Sequence, residues 1–147
     1  MKQVLISIAA MILIASCNNG SDEVNRLTDA VVAASEGTGS YTDALRVASD
    51  VSADITDYST DNAALIQAAI VALVNRQVDA DSLDGAEAAM TLYLANHDTM
   101  TARDSAAWAE ATATVQGING HLNTPRIVDL YRRSLTGIQT LRQIKEN

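Results

Sequence analysis

Residues 63–74 read AALIQAAIVALV, with Gln67 as the one polar side chain. Leu65, Ile66, Ala69, Ile70, Leu73 and Val74 recur at three- and four-residue spacing, which a helix gathers onto one broad face. Ala68, Val71 and Ala72 make the opposite side nearly apolar as well. A helix apolar most of the way round needs neighbours on several sides, so the stretch from Asp61 to Val78 predicts a central helix around which the chain folds.

Composition agrees with a helical answer. Aromatic residues make up 3% of the 147 positions: four Tyr, one Trp and no Phe. A core without Phe is built from Leu, Ile, Val and Ala, and abundant Ala favours closely approaching helices over a β-sandwich. One Pro and seven Gly imply few sharp turns. The length is that of one domain. The fold class expected is all-α, a single antiparallel helical bundle of about five to six helices.

Charge is acidic and uneven. From Asp22 through Pro125 there are 16 Asp and Glu against 4 Arg. From Arg126 to Asn147 the balance reverses, with 5 Lys and Arg against 2 acids. Acidity on this scale argues against nucleic acid as a partner, because phosphate binding needs a cationic surface. The basic tail is explained most simply by pairing with acidic faces of the same domain.

The N-terminal residues 1–17 read MKQVLISIAAMILIASC. Lys2 supplies a positive start, and Val4 to Ala15 is apolar apart from Ser7. That run is too short to span a bilayer as a helix and has the form of a cleaved secretory signal. Ile14-Ala15-Ser16-Cys17 resembles the lipobox of bacterial lipoproteins: a branched apolar residue, two small residues, then cysteine. The resemblance covers the processing segment alone. It implies cleavage before Cys17, a diacylglyceryl thioether on its sulfur and acylation of the new amino terminus. Asn18 is not Asp, so in a host with two membranes the family rule points to the outer one, with the domain facing the periplasm.

Cys17 is the sole cysteine, so an exported chain has no internal disulfide for it, and lipidation accounts for the thiol. Several acyl chains at about 0.8 kcal/mol per buried methylene make a durable anchor. The chain divides into a signal at 1–16, a lipidated cysteine and polar tether at 17–23, and a helical domain at 24–147. The six tether residues after Cys17 reach about 20 Å when extended, which holds the domain close to the bilayer.

Along the mature chain, Val24, Leu27, Val31 and Ala34 mark the first helix, ended by the loop Ser35 to Ser40. A second opens at Ser40, with a stripe of Tyr41, Leu45, Ala48, Val51, Ile55 and Tyr58. Ser59 to Asn62 begins the central helix. Asp79 to Glu87 invites comparison with a calcium loop, but Gly85 falls at position seven where six is required, and Met90 occupies the place of the bidentate Glu. The better reading is a turn in which Asp84 caps the next helix and Glu87 closes the box. That fourth helix carries Ala86, Ala89, Met90, Tyr93, Leu94 and His97, and ends near Asn96 to Thr99. Thr101 with Asp104 signals a fifth, whose Ala102, Ala106, Ala109 and Ala113 form a small-residue ridge beside Trp108, Ala111 and Val115. Thr124-Pro125 starts a sixth, running from Ile127 to Ile144.

No reactive signature accompanies these helices. There is no G-x-S-x-G elbow, no H-E-x-x-H and no C-x-x-C-H, and no cofactor is implied. The available metal proposal brings His97, Asp98 and His121 together, with Met90 or Met100 as a soft ligand. Histidines hydrogen-bonded locally are the simpler account of the same residues. The expected function is therefore a non-enzymatic binding or structural role in the cell envelope, with the membrane as partner through Cys17 and an envelope protein as a possible second partner. Two alternatives stand beside it: a helical metal- or small-ligand-binding lipoprotein using His97 and His121, and an envelope hydrolase using Asp and Glu side chains.

Overall fold

The apolar run forms the centre of an all-helical chain. The computed structural model describes residues 20–80, 82–119, 133 and 136; among them there is no strand. Four α-helices follow in order: α1 (Ser21–Glu36), α2 (Tyr41–Ser52), α3 (Thr60–Asp79) and α4 (Leu83–Asn119), with a short 3-10 turn at Ile55–Asp57. Helix α3 starts because the Ser59 hydroxyl accepts the Asn62 N–H at 3.2 Å, the capping role that Ser59 to Asn62 predicts.

Leu65, Ile66, Ala69, Ile70, Leu73 and Val74 are buried, and so are Ala68 and Val71 on the other side, where Ala72 is half-buried. Helix α3 packs most extensively against α4, then against α1 and α2. Each fully buried large aliphatic side chain contributes roughly 1.5–3 kcal/mol, so the apolar run supplies a large share of the driving force. Around it lie Val24, Leu27, Val31 and Ala34 of α1 and Ala86, Ala89, Met90, Tyr93 and Leu94 of α4.

Gln67 is the polar exception and it is fully buried. Its Nε2 donates to the Tyr93 carbonyl at 2.8 Å, and its Oε1 accepts from Asn96 Nδ2 at 2.9 Å. Asn96 Nδ2 also donates to Ser52 Oγ at 2.9 Å. One amide thus ties α3 to α4 and, through Asn96, to the end of α2. Without these partners the buried amide would cost about 1–3 kcal/mol in desolvation.

Several boundaries differ from the sequence reading. Helix α2 is capped by Ser40, whose Oγ accepts the Asp43 N–H at 3.1 Å. The helix stops at Ser52, however, and does not run on to Tyr58. Its buried face is Ala44, Val47, Ala48 and Val51, while Tyr41 and Leu45 are half-buried and pack against the margin of the core. Ile55 and Tyr58 reach the core from the 3-10 turn instead. Asp84 lies in the first turn of α4, not before it.

The fourth and fifth predicted helices are one element with a break. Asp104 has φ −163° and ψ 91°, outside the helical region, between segments 83–103 and 105–119. Its carboxylate accepts the Ala107 N–H at 3.0 Å, so Asp104 is itself the cap of the second segment, whereas Thr101 lies inside the first. In the second segment Trp108, Ala111 and Thr112 are buried. The ridge Ala102, Ala106, Ala109 and Ala113 is exposed, so among the described residues no helix packs closely on it as its small residues suggest. The helix expected from Ile127 to Ile144, and the loop holding His121, lie outside the described residues.

Candidate functional site at the α4 break

The break at Asp104 brings the two candidate side chains of α4 together. His97 is half-buried in the first segment, and Trp108 is 2% exposed in the second. Trp108 Nε1 donates to His97 Nδ1 at 3.2 Å, with ring centroids 6.4 Å apart and planes inclined by 55°. An indole N–H only donates, so His97 Nδ1 carries no proton and the neutral ring holds its proton on Nε2. Thr101 Oγ1 lies 3.5 Å from that nitrogen. The imidazole is thereby engaged as the acceptor that a buried indole requires.

Of the other proposed ligands, Asp98, Met90 and Met100 are among the described residues and His121 is not. Asp98 follows His97 by one residue, and neighbours in a helix point about 100° apart. Met90 precedes His97 by two turns, about 10 Å along the axis, and both Met90 and Met100 are packed in the core. Among the described residues, no group of three or more His, Cys, Asp or Glu side chains is placed to hold a metal ion. His121 lies outside the described residues, as does Cys17. For the hydrolase alternative, Asp84 and Glu87 line a shallow, open depression with Ala88 and Thr91 on the outer side of α4. Among the described residues, its lining comes from α4 alone and includes no histidine.

A second built region lies where α1 begins. Gly20 is buried, with φ 105°, a left-handed conformation that side chains disfavour. A Cβ built on it would stand 2.6 Å from Tyr58 Cγ, so the backbone rests directly on the tyrosine ring. The Tyr58 hydroxyl donates to the Val51 carbonyl at 2.8 Å, and Arg103 Nη1 donates to the Tyr58 carbonyl at 3.2 Å. Burial, followed by the charges of Glu23, Asp54 and Asp57, pushes the Tyr58 hydroxyl above its ordinary value, while Arg26 acts in the opposite sense. The start of α1, the 3-10 turn and the α4 break thus meet around Tyr58, at an end of the described domain where the carboxylates of Glu23, Asp54 and Asp57 stand beside Arg26 and Arg103.

This second region escapes sequence reading, because nothing in Asn18-Asn19-Gly20-Ser21 says that Gly20 will touch a tyrosine 38 positions later. The Trp108–His97 bond was legible as a need, an indole seeking an acceptor. Its partner was not, since the two are 11 residues apart across a break that resets the helical register. No helix among the described residues is long and apolar enough to cross a membrane. Comparison with protein-family models, curated proteins and solved structures finds no match.

Proposed function

We propose that this chain is a lipid-anchored cell-envelope protein whose helical domain has a non-enzymatic binding or structural role. One observation carries the reading: Ile14-Ala15-Ser16-Cys17 stands directly after a positive start and a short apolar run, and its cysteine is the only one in the chain. Export of residues 1–16, lipidation of Cys17 and attachment to the outer membrane of a two-membrane host follow from the resemblance. Within this reading the domain is an antiparallel bundle of five to six helices. The break at Asp104 divides α4 into the fourth and fifth, and the sixth is the helix expected from Ile127 to Ile144, outside the described residues. Short connections such as 37–40 and 80–82 support that arrangement.

The role is one of spacing or binding another envelope component. It is supported by the short tether and by the use of His97 as a hydrogen-bond acceptor for a core tryptophan. The experiment is to express the full chain with radiolabelled palmitate and to measure the mass of the Cys17 peptide. The wild type takes up label and fractionates with membranes; Cys17→Ser does neither. An unmodified Cys17 in a membrane fraction overturns the reading.

A further inference from the structure

From the geometry of the Gly20–Tyr58 contact we infer that the anchored domain presents one particular end, the end around Tyr58, to the phospholipid surface. The inference rests on lipidation of Cys17 and adds to it which surface of the domain meets the bilayer.

The tether proper is shorter than the polar stretch 17–23. Helix α1 begins at Ser21, so Ser21, Asp22 and Glu23 belong to the domain and not to the spacer. Gly20 is already fixed: it is buried, it holds φ 105°, and it has no room to move toward the Tyr58 ring. Val24 N–H donates to the Gly20 carbonyl at 2.9 Å, tying that residue to the helix as well. Between the lipidated Cys17 and the fixed Gly20 there remain three peptide links. Whatever path they take, they span at most about 11 Å between Cα atoms. A domain held so closely by its Gly20 corner keeps that corner at the headgroups.

What surrounds the corner identifies the surface. Thr56 and Asp57 of the 3-10 turn, Asp54 before it and Asp22 of α1 are exposed. The other end of α1, the loop at Gly37 to Ser40, lies 16 residues or about 24 Å farther along the helix. Arg26 and Arg103 are exposed beside the carboxylates of the corner, so the rim is of mixed charge and the tether, not surface charge, imposes the contact. The far loop is then the part of α1 most remote from the anchor point, on the side open to soluble or envelope partners.

Because Cys17 is consumed by lipid, an introduced cysteine is the only free thiol. Thr56→Cys and Thr38→Cys place matched exposed thiols at the near and far ends. Each full-length acylated protein is labelled with a fluorophore and reconstituted into phosphatidylcholine vesicles carrying a nitroxide on the headgroup. Quenching at position 56 at least threefold stronger than at position 38 supports the inference. Equal or reversed quenching, with acylation of Cys17 verified by intact mass, overturns the inference and leaves the anchoring reading standing. An unmodified Cys17 overturns both. A 20-residue Gly/Ser insertion after Asn18 provides the second measurement. It brings the ratio toward one if the short tether sets the orientation; a ratio unchanged by the insertion overturns the tether as its cause.

Discussion

The two ends of α1 are both made by glycine, and they behave as different devices. At the C-terminal end, Gly37 adopts φ 83° and its N–H reaches back to the carbonyls of Ala33 and Ala34. A Cβ there would meet nothing within 4 Å. At the N-terminal end, Gly20 adopts φ 105° and lies against the Tyr58 ring. Gly37 answers a local demand of the backbone, the left-handed stop that ends many helices. Gly20 answers a tertiary demand, a side chain from another part of the chain that leaves no space for any Cβ. The first is readable from a few residues and the second requires the fold.

That contrast is most strongly tested by Tyr58→Ala, which removes a buried ring and its hydrogen bond to Val51. By analogy with other aromatic truncations it should cost about 3–5 kcal/mol in urea unfolding. Gly20→Ala comes next, with about 1–3 kcal/mol from backbone strain and a similar amount, about 1–3 kcal/mol, from overpacking on the ring. Since the second part depends on the ring, the double variant Gly20→Ala/Tyr58→Ala should be more stable than the sum of the singles implies by about 1 kcal/mol or more. Additive effects would show that the two residues do not press on one another. Gly37→Ala should cost about 1–2 kcal/mol, from the left-handed backbone alone, and should be additive with Tyr58→Ala.

Tyr58→Phe gives the smallest effect, about 0.5–1.5 kcal/mol at neutral pH for the lost hydroxyl bond, and adds a pH signature. The Tyr58 and Tyr93 hydroxyls both titrate above their ordinary value, Tyr93 by burial and Tyr58 by burial and neighbouring carboxylates. The neutral hydroxyl is therefore favoured in the folded state. Its contribution is complete below the unfolded value near pH 10 and is lost as pH rises from there through the folded value. Stability measured from pH 8 to 11 should fall at the alkaline end, and less steeply in Tyr58→Phe.

Much of this architecture was legible because it follows from local pattern. The burial of Leu65 to Val74 on both sides, the cap at Ser59, the cap at Ser40 and the core stripe of α1 each depend on residues within a turn or two. The failures have a shared physical cause. Ser52 to Tyr58 kept a helical spacing of apolar residues although a 3-10 turn, not a helix, carries Ile55 and Tyr58 inward. Thr101 and Asp104 stand three apart, so either can be taken for the cap; the bond from Ala107 N–H assigns it to Asp104. The exposed Ala102 to Ala113 ridge shows that small residues permit close approach without requiring it. At the candidate site, His97 and Trp108 were both legible as polar-tipped residues, and their union was hidden by the break between them.

Gln67 has a consequence for the whole domain. A cylinder clad in Ala, Ile, Leu and Val on every side has little to tell one azimuth or axial setting from the next, since sliding exchanges one greasy contact for another. The amide engages Tyr93 and Asn96 through directional bonds that fail after a small rotation or a shift of one residue. Helix α3 is thus keyed to α4 at one register, and through Asn96 and Ser52 the end of α2 is keyed with it.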